Sequence, residues 1–334
     1  MADMAAFDYH LPDGAIAQVP AEPRESARLL VALGPEAGPA HRHVRDLPGL
    51  LEPGDVLVVN ETRVRPSRLL LRKPSGGRVE VVLLEPAGAA GEWEALVRPG
   101  RRVADGTRLI PDGGGPDLLE VGARREGGTR TVRVLEDLDG HAALALPPYI
   151  TTALADPERY QTVYARTPGS VAAPTAGLHL STEVLDRCRA GGVEVHAVDL
   201  AVGLATFQPV PAARAEDHEL HGEAYAVPAS TWEACRSARR VVAVGTTTVR
   251  ALESAAATGE LAGRTRLFIR DGHPFRVVDV LLTNFHLPRS SLLLLLAAFM
   301  GDGWRQLYDL ALAEGYRFLS FGDAMLVGRP GRRG

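Results

Sequence analysis

The chain has 334 residues, of which 46% are hydrophobic and 23% are charged. This is the composition of an ordinary globular protein and excludes a wholly disordered chain. Aromatic residues make up only 5%, and the formal net charge is -4 at pH 7. These values argue against a base-stacking surface and against a global electrostatic attraction to nucleic acid, so any binding of RNA has to use a local basic patch.

The two cysteines, Cys188 and Cys235, have no metal-site spacing and provide no disulfide framework. The first ten residues lack the basic region and apolar core of a secretory signal peptide. The most apolar stretch, 292–300, has nine residues, whereas a membrane-spanning helix needs about 20. We therefore expect reduced thiols, a buried helix at 292–300, no membrane association and a cytoplasmic, monomeric protein.

The two ends of the chain alternate between apolar strands and helices. Strands are predicted at 28–33, 54–60, 193–198, 240–244, 267–269, 275–282, 316–319 and 324–327, and helices at 182–189, 230–238, 247–257, 292–300 and 304–314. This alternation is typical of a layered α/β sheet.

Between these parts, short apolar runs recur, each bounded by Gly, Pro or Asp, and no segment has a helical period. This pattern favours an all-β unit, most simply a small barrel. The sequence thus predicts one discontinuous α/β domain, 1–60 with 148–334, that has a β-barrel-like domain inserted at 61–147.

Four stretches contain candidate site residues. Gly245 ends an apolar strand and leads through Thr246 and Thr247 into a helix, which favours an anion site, although plain helix capping explains the same pattern. The loop 169–180 is rich in small residues, which allow a ligand to approach the backbone, and contains His179.

The stretch 218–223 concentrates ionisable groups, but its spacing is not that of a zinc motif, so we expect no metal. If it is extended, His221 and Glu223 share one face, which suits proton transfer or ligand contact. In the fourth stretch, Asn284 and His286 follow an apolar strand, at the end where open α/β sheets bind ligands.

The motifs of this chain and their order resemble those of one protein family over nearly the whole chain. The matching stretches include FDYHLP, GDVLVVNETRV, GSVAAPTAGLH, HELHGE, VGTTTVRALE, VDVLLTNFHLPRSSLL and YRFLSFGDAM. They resemble the S-adenosylmethionine:tRNA ribosyltransferase-isomerases of queuosine biosynthesis.

The resemblance implies that S-adenosylmethionine is a cosubstrate. Its ribosyl part is transferred to the 7-aminomethyl group of 7-aminomethyl-7-deazaguanine at the tRNA wobble position and isomerised, which yields epoxyqueuosine in tRNA, adenine and methionine. We expect His179, His221 and Glu223 to transfer protons. The cosubstrate is expected to contact five residues, with its carboxylate at the first three: Thr246, Thr247, Arg250, Asn284 and His286. The partner tRNA is expected to contact a basic run: Arg63, Arg65, Arg68, Arg72 and Lys73.

Two positions depart from the family pattern. Ala201 stands where the family has a histidine, and Ala205 stands where it has a glycine. The missing imidazole removes a possible proton carrier. The added methyl group limits how closely a ligand can approach the backbone. The sequence therefore leaves two alternatives open: a diverged paralogue that uses the same cosubstrate on a small-molecule acceptor, and a non-catalytic RNA-binding relative.

Overall fold

The computed structural model describes residues 3–34, 38–203 and 222–330. Its strands, in chain order, are β1 (Arg28–Ala32), β2 (Ala40–His43), β3 (Val56–Asn60), β4 (Thr62–Val64), β5 (Arg68–Arg72), β6 (Arg78–Pro86), β7 (Glu92–Arg98), β8 (Thr107–Pro111), β9 (Leu119–Arg124), β10 (Arg130–Val134), β11 (Ala142–Ala143), β12 (Thr167–Ser170), β13 (Glu194–Leu200), β14 (Glu223–Ala226), β15 (Val241–Val244), β16 (Ala262–Thr265), β17 (Val280–Asn284) and β18 (Ala324–Gly328). The α-helices are α1 (Thr182–Ala190), α2 (Ala229–Ser237), α3 (Thr246–Thr258), α4 (Ser291–Met300) and α5 (Gly303–Ala313).

The chain forms two compact units, one made of Met1–Arg63 with Pro147–Gly334 and the other of Val64–Leu146. The domain boundaries expected from the sequence, 1–60 with 148–334 and 61–147, stay a prediction.

The first unit is built on a mixed sheet. Within the described ranges, its strand order is β16, β14, β13, β3, β15, β17, β18, β1, β2. Strand β3 lies between β13 and β15, β17 lies beside β15, and these neighbours are parallel. The carboxyl ends of β3, β15 and β17 therefore meet at one edge of the sheet.

Both faces of this sheet are covered. Every residue of β3 is buried, as expected for a central parallel strand. Because successive side chains point to opposite faces, Val56 and Val58 pack into the core below α2 to α5, whereas Leu57 and Val59 pack into the core below α1. The result is a layered α/β unit.

Helix α4 is the leucine-rich helix expected at 292–300. The Ser290 hydroxyl caps it by accepting a hydrogen bond from the Leu293 amide at 3.2 Å, and its leucines are buried from Leu293 to Leu296. Among the helices in the described ranges, none is both long and apolar enough to cross a membrane.

The second unit contains a closed antiparallel barrel. Six strands pair around it in the order β5, β6, β7, β10, β9, β8, and pairing of β5 with β8 closes the ring. Apolar side chains such as Leu69, Val81, Val121 and Val132 fill its interior. The predicted fold class, a layered α/β unit with an inserted small barrel, is confirmed.

A buried arginine ties the barrel strands to a neighbouring turn. The Arg130 side chain is only 2% exposed and donates hydrogen bonds to the Gly122 carbonyl at 3.0 and 2.7 Å and to the Val103 carbonyl at 2.8 Å. It also pairs with Asp105 at 2.6 Å. Its removal would leave buried carbonyls without donors.

We therefore expect Arg130→Met to lower the free energy of unfolding by roughly 3 kcal/mol, because buried acceptors and a carboxylate lose their partner. The matched control is Arg133→Met on the same strand, since that arginine is half exposed and forms a surface pair with Glu120. Denaturant unfolding measures both. Equal unfolding free energies for the two variants would contradict a structural role for Arg130.

Candidate active site

The candidate site lies where three parallel strands end. The last residues of β3, β15 and β17 are Asn60, Val244 and Asn284. Gly245, the N-cap residue before α3, has φ of +88°, a conformation that favours glycine. Ligands of open α/β sheets bind at this edge.

Two adjoining depressions open at this edge of the sheet. They share Thr175, Asn284, His286 and Leu292. The first, here called the aromatic depression, is also lined by Tyr149, Phe285, Leu287, Ser290, Leu319 and Ser320. The second, here called the α3 depression, is also lined by Ala173, Pro174, Ala176, Val202, Gly245, Thr246, Thr247 and Thr283.

The start of α3 provides hydrogen-bond donors. Its first amides have no carbonyl partner within the helix, and Gly245 has no side chain to cap them. Thr246 and Thr247 are each 6% exposed and line the α3 depression. The arrangement suits an anion, as the sequence predicts for these two threonines.

Asn60 fixes one of these threonines. Its Oδ1 accepts hydrogen bonds from the backbone amides of Thr62 at 3.2 Å and Leu200 at 3.1 Å. Its Nδ2 must therefore be the donor to the Leu200 carbonyl at 3.0 Å and to Thr247 Oγ1 at 3.2 Å. The Thr247 oxygen is thus an acceptor for Asn60, and its own hydrogen is left for another partner.

Asn284 connects two other predicted site residues. Its Nδ2 lies 3.2 Å from the Leu319 carbonyl and 2.9 Å from His179 Nε2. A carbonyl oxygen only accepts, so the amide nitrogen faces it and also donates to the imidazole. His179 Nε2 is therefore unprotonated, and the proton of the neutral ring is on Nδ1.

The environment keeps His179 neutral. Burial lowers its pKa to about 4, and the positive charges of Arg317, Arg159 and Arg24 contribute to the same shift. Its ordinary value is 6.5. Because its Nε2 accepts from Asn284, only Nδ1 remains for any other contact, and a proton-transfer role for His179 stays a prediction.

His286 is the imidazole that faces both depressions. Its Nε2 lies 3.0 Å from Thr283 Oγ1, and its Nδ1 makes no hydrogen bond to the described part of the chain. Burial lowers its pKa to about 3, so the ring is neutral at pH 7. The open nitrogen of a neutral imidazole can accept or donate a hydrogen bond, depending on the tautomer.

Glu223 and Arg250 form a buried ion pair. The Arg250 guanidinium contacts the Glu223 carboxylate and donates to the Leu267 carbonyl at 3.1 Å, while the Gly203 amide donates to Glu223 at 3.2 Å. Arg250 is not among the residues that line the two depressions. The carboxylate-binding role of Arg250 and the proton-transfer role of Glu223 stay predictions.

Two sequence expectations lie outside the described residues: the role of His221 and the effect of Ala205. Ala201 is described. It follows β13 and donates its amide to the Ala224 carbonyl at 3.1 Å.

A family model described as "Queuosine biosynthesis protein" matches residues 4–327. The chain belongs to this family. The family membership expected from the motifs is therefore confirmed.

Relatives of the queuosine biosynthesis family match this chain over almost its full length. A Thermus thermophilus protein named S-adenosylmethionine:tRNA ribosyltransferase-isomerase is 52% identical over 98% of this chain and 100% of its own length. A Rubrobacter xylanophilus protein of the same name is 50% identical over 98% of both chains. The crystal structure of an S-adenosylmethionine tRNA ribosyltransferase from Thermotoga maritima has 38% identity and a TM-score of 0.56, and the match covers 96% of this chain and 99% of that one.

The basic run of this family member is largely engaged in contacts within each unit. In the first unit, Arg63 pairs with Glu158 at 2.8 Å. In the second, Arg65 stacks 4.3 Å from the centroid of the Trp93 ring, and burial lowers its pKa to about 10. In the same unit, Arg68 pairs with Glu80 and Lys73 donates to the Arg102 carbonyl, and Arg72 Nε is buried without a hydrogen bond to any described residue.

Sequence reasoning missed Asn60 and Thr175. Thr175 Oγ1 lies 3.0 Å from Asn284 Oδ1 and lines both depressions. The signals were present, since Asn60 ends an apolar strand and Thr175 lies in the small-residue loop. No group of three or more potential metal ligands occurs among the described residues, and the expectation of no metal stays a prediction.

The lowered pKa of His179 predicts a pH-dependent stability. The unfolded chain binds a proton near pH 6.5, whereas the native imidazole does so only near pH 4, so stability falls as the pH decreases through this window. The loss attributable to His179 is about 3 kcal/mol.

We expect His179→Gln to flatten the dependence of the unfolding free energy on pH between 4 and 6.5, because it removes this proton uptake. The control is His10→Gln at an exposed position. Denaturant unfolding at several pH values gives the slopes. Parallel curves for wild type and His179→Gln would show that this imidazole is not held neutral.

Proposed function

We propose that the chain is an S-adenosylmethionine:tRNA ribosyltransferase-isomerase. It transfers and isomerises the ribosyl part of S-adenosylmethionine onto the 7-aminomethyl group of 7-aminomethyl-7-deazaguanine at the wobble position of tRNA. The products are epoxyqueuosine in tRNA, adenine and methionine. The observation that supports this most strongly is the 52% identity with a relative of that name over 98% of the chain. Its free, buried cysteines suit a reducing cytoplasm.

The reaction places definite demands on the site. The acceptor amine must be neutral, because its lone pair forms the bond to a ribosyl carbon. The nitrogen loses a proton when this bond forms. The sulfonium–carbon bond breaks to release methionine, and the glycosidic bond breaks to release adenine, which takes up a proton. A base is also needed for the acidic C–H beside the sulfonium.

Among the described residues, His286 is the candidate for proton transfer that is best placed in the depressions. It is neutral, it lines both depressions, and its Nδ1 has no partner in the described part of the chain. Thr246 and Thr247 at the start of α3 suit the methionine carboxylate. His221 and Glu223 remain candidates for the second proton transfer.

The aromatic depression suits the adenine ring. Tyr149, Phe285 and Leu319 provide flat and apolar contacts, and the Tyr149 hydroxyl is hydrogen-bonded to Ser320 at 2.7 Å. Stacking and apolar contact hold a neutral heterocycle, while the few polar groups orient it.

The direct test uses S-adenosylmethionine labelled in adenine, with and without tRNA that contains 7-aminomethyl-7-deazaguanine. We expect adenine release that depends on this tRNA and is lowered roughly 10²–10⁴-fold in His286→Phe, because a proton-transfer group contributes on this scale. Exposed His10→Gln is the control. Release that depends instead on a small-molecule acceptor would favour the paralogue, and binding of tRNA without release would favour the non-catalytic relative.

We also propose that the basic run binds the tRNA backbone. Arg68 is exposed, and the Lys73 ammonium donates to the Arg102 carbonyl, so Arg68→Gln with Lys73→Gln removes charge without emptying the barrel interior. We expect weaker tRNA binding and a salt dependence whose log–log slope falls by about 1 per lost phosphate contact. Exposed Arg124→Gln is the control. Unchanged affinity and slope in the double variant would refute this surface.

A further inference from the structure

Two threonines that line the α3 depression present opposite hydrogen-bonding groups to a ligand, one an acceptor and the other a donor. Because both N–H groups of Asn284 face acceptors, its Oδ1 is the atom that meets Thr175, and Thr175 must donate its only hydroxyl hydrogen to it. The Thr175 oxygen is then left with lone pairs alone. Toward a ligand, Thr175 is an acceptor.

Thr247 is the reverse case. Its oxygen accepts from Asn60 Nδ2, whose orientation is fixed by two backbone amides that donate to Asn60 Oδ1. No described residue accepts the Thr247 hydroxyl hydrogen. Thr247 is 6% exposed, and beside it the first amides of α3 are further donors. Toward a ligand, this end of the depression is a donor.

We infer that the α3 depression binds the zwitterionic amino-acid end of the cosubstrate, with its carboxylate at Thr247 and the first amides of α3 and its α-ammonium at the Thr175 oxygen. This assignment deepens the proposed function and rests on it. Asn284 sets the polarity of Thr175, and His179 is a positioning residue because it accepts the second N–H of Asn284.

The shared lining of the depression distinguishes the two amino groups of S-adenosylmethionine. Thr247 and Thr175 line the same depression, so the ligand group that satisfies both is one whose donor lies close to its carboxylate. The α-ammonium is separated from the carboxylate by a single carbon, whereas the adenine amino group is at the far end of the molecule. The aromatic depression shares Thr175 and Asn284 with the α3 depression. It then lies on the side of the ligand that carries the sulfonium and the adenine.

The test compares variants of Thr175 on two ligands that differ in one group. Thr175→Val removes the hydroxyl at nearly constant volume, and Thr175→Ser retains it. The ligands are S-adenosylmethionine and its analogue with hydrogen in place of the α-amino group. The measured quantity is kcat/KM for adenine release at saturating acceptor tRNA.

For wild type and Thr175→Ser, we expect the analogue to be about 10- to 100-fold poorer, the range for a hydrogen bond to a charged group. In Thr175→Val this preference should shrink to within about 3-fold, because only the natural cosubstrate loses a partner. Equal losses on both ligands would overturn the assignment while leaving the proposed function intact. No adenine release by wild type from either ligand would overturn both.

The positioning role of His179 has its own readout. His179→Gln retains an acceptor for Asn284 and should keep the preference for the α-amino group, whereas His179→Leu should lose it. A cooperative denaturant unfolding transition of His179→Leu would show that its fold is intact. An undiminished preference in His179→Leu would overturn the positioning role.

Discussion

The contact between the Asn284 amide and the Leu319 carbonyl determines the polarity of the site. A carbonyl oxygen only accepts, so it forces the nitrogen of Asn284 to face it, and the remaining N–H and the oxygen then have fixed partners. His179 must accept, and Thr175 must donate. Leu319 itself has φ of +69°, a costly conformation for a leucine, and its amide donates to the Phe285 carbonyl at 3.2 Å. A strained residue thus supplies the acceptor from which the other assignments follow.

The sheet places a second amide of fixed orientation on the other side of Gly245. Asn60 and Asn284 end β3 and β17, which flank β15, and each directs a threonine that lines the same depression. Because Asn60 donates to Thr247, the Thr247 hydroxyl hydrogen is available to a ligand. Because Asn284 accepts from Thr175, the Thr175 oxygen is available as an acceptor. Burial keeps His179 and His286 neutral. Among the described residues that line the depressions, polarity therefore comes from oriented dipoles rather than from charged side chains.

The sequence predicts the parts of this architecture that depend on local pattern. The alternation of apolar strands with helices predicts the layered unit, and frequent turns predict the barrel. Gly245 before two threonines predicts the start of α3. The roles of Asn60 and Thr175 depend instead on contacts across 187 and 109 positions of the chain, which no local pattern encodes. The burial that shifts the histidine pKa values is also a property of the packed state.

The central claim, that Asn284 donates to a neutral His179, is tested most directly by the imidazole ¹⁵N signals of the wild-type protein. His179 is assigned by its absence from the spectrum of His179→Gln. We predict a proton on Nδ1 and an unprotonated Nε2 throughout the pH range from 5 to 8, because burial keeps the pKa of His179 at about 4. A proton on Nε2, or a ring that becomes charged near pH 6.5, would contradict the orientation of Asn284 and the polarity assigned to Thr175.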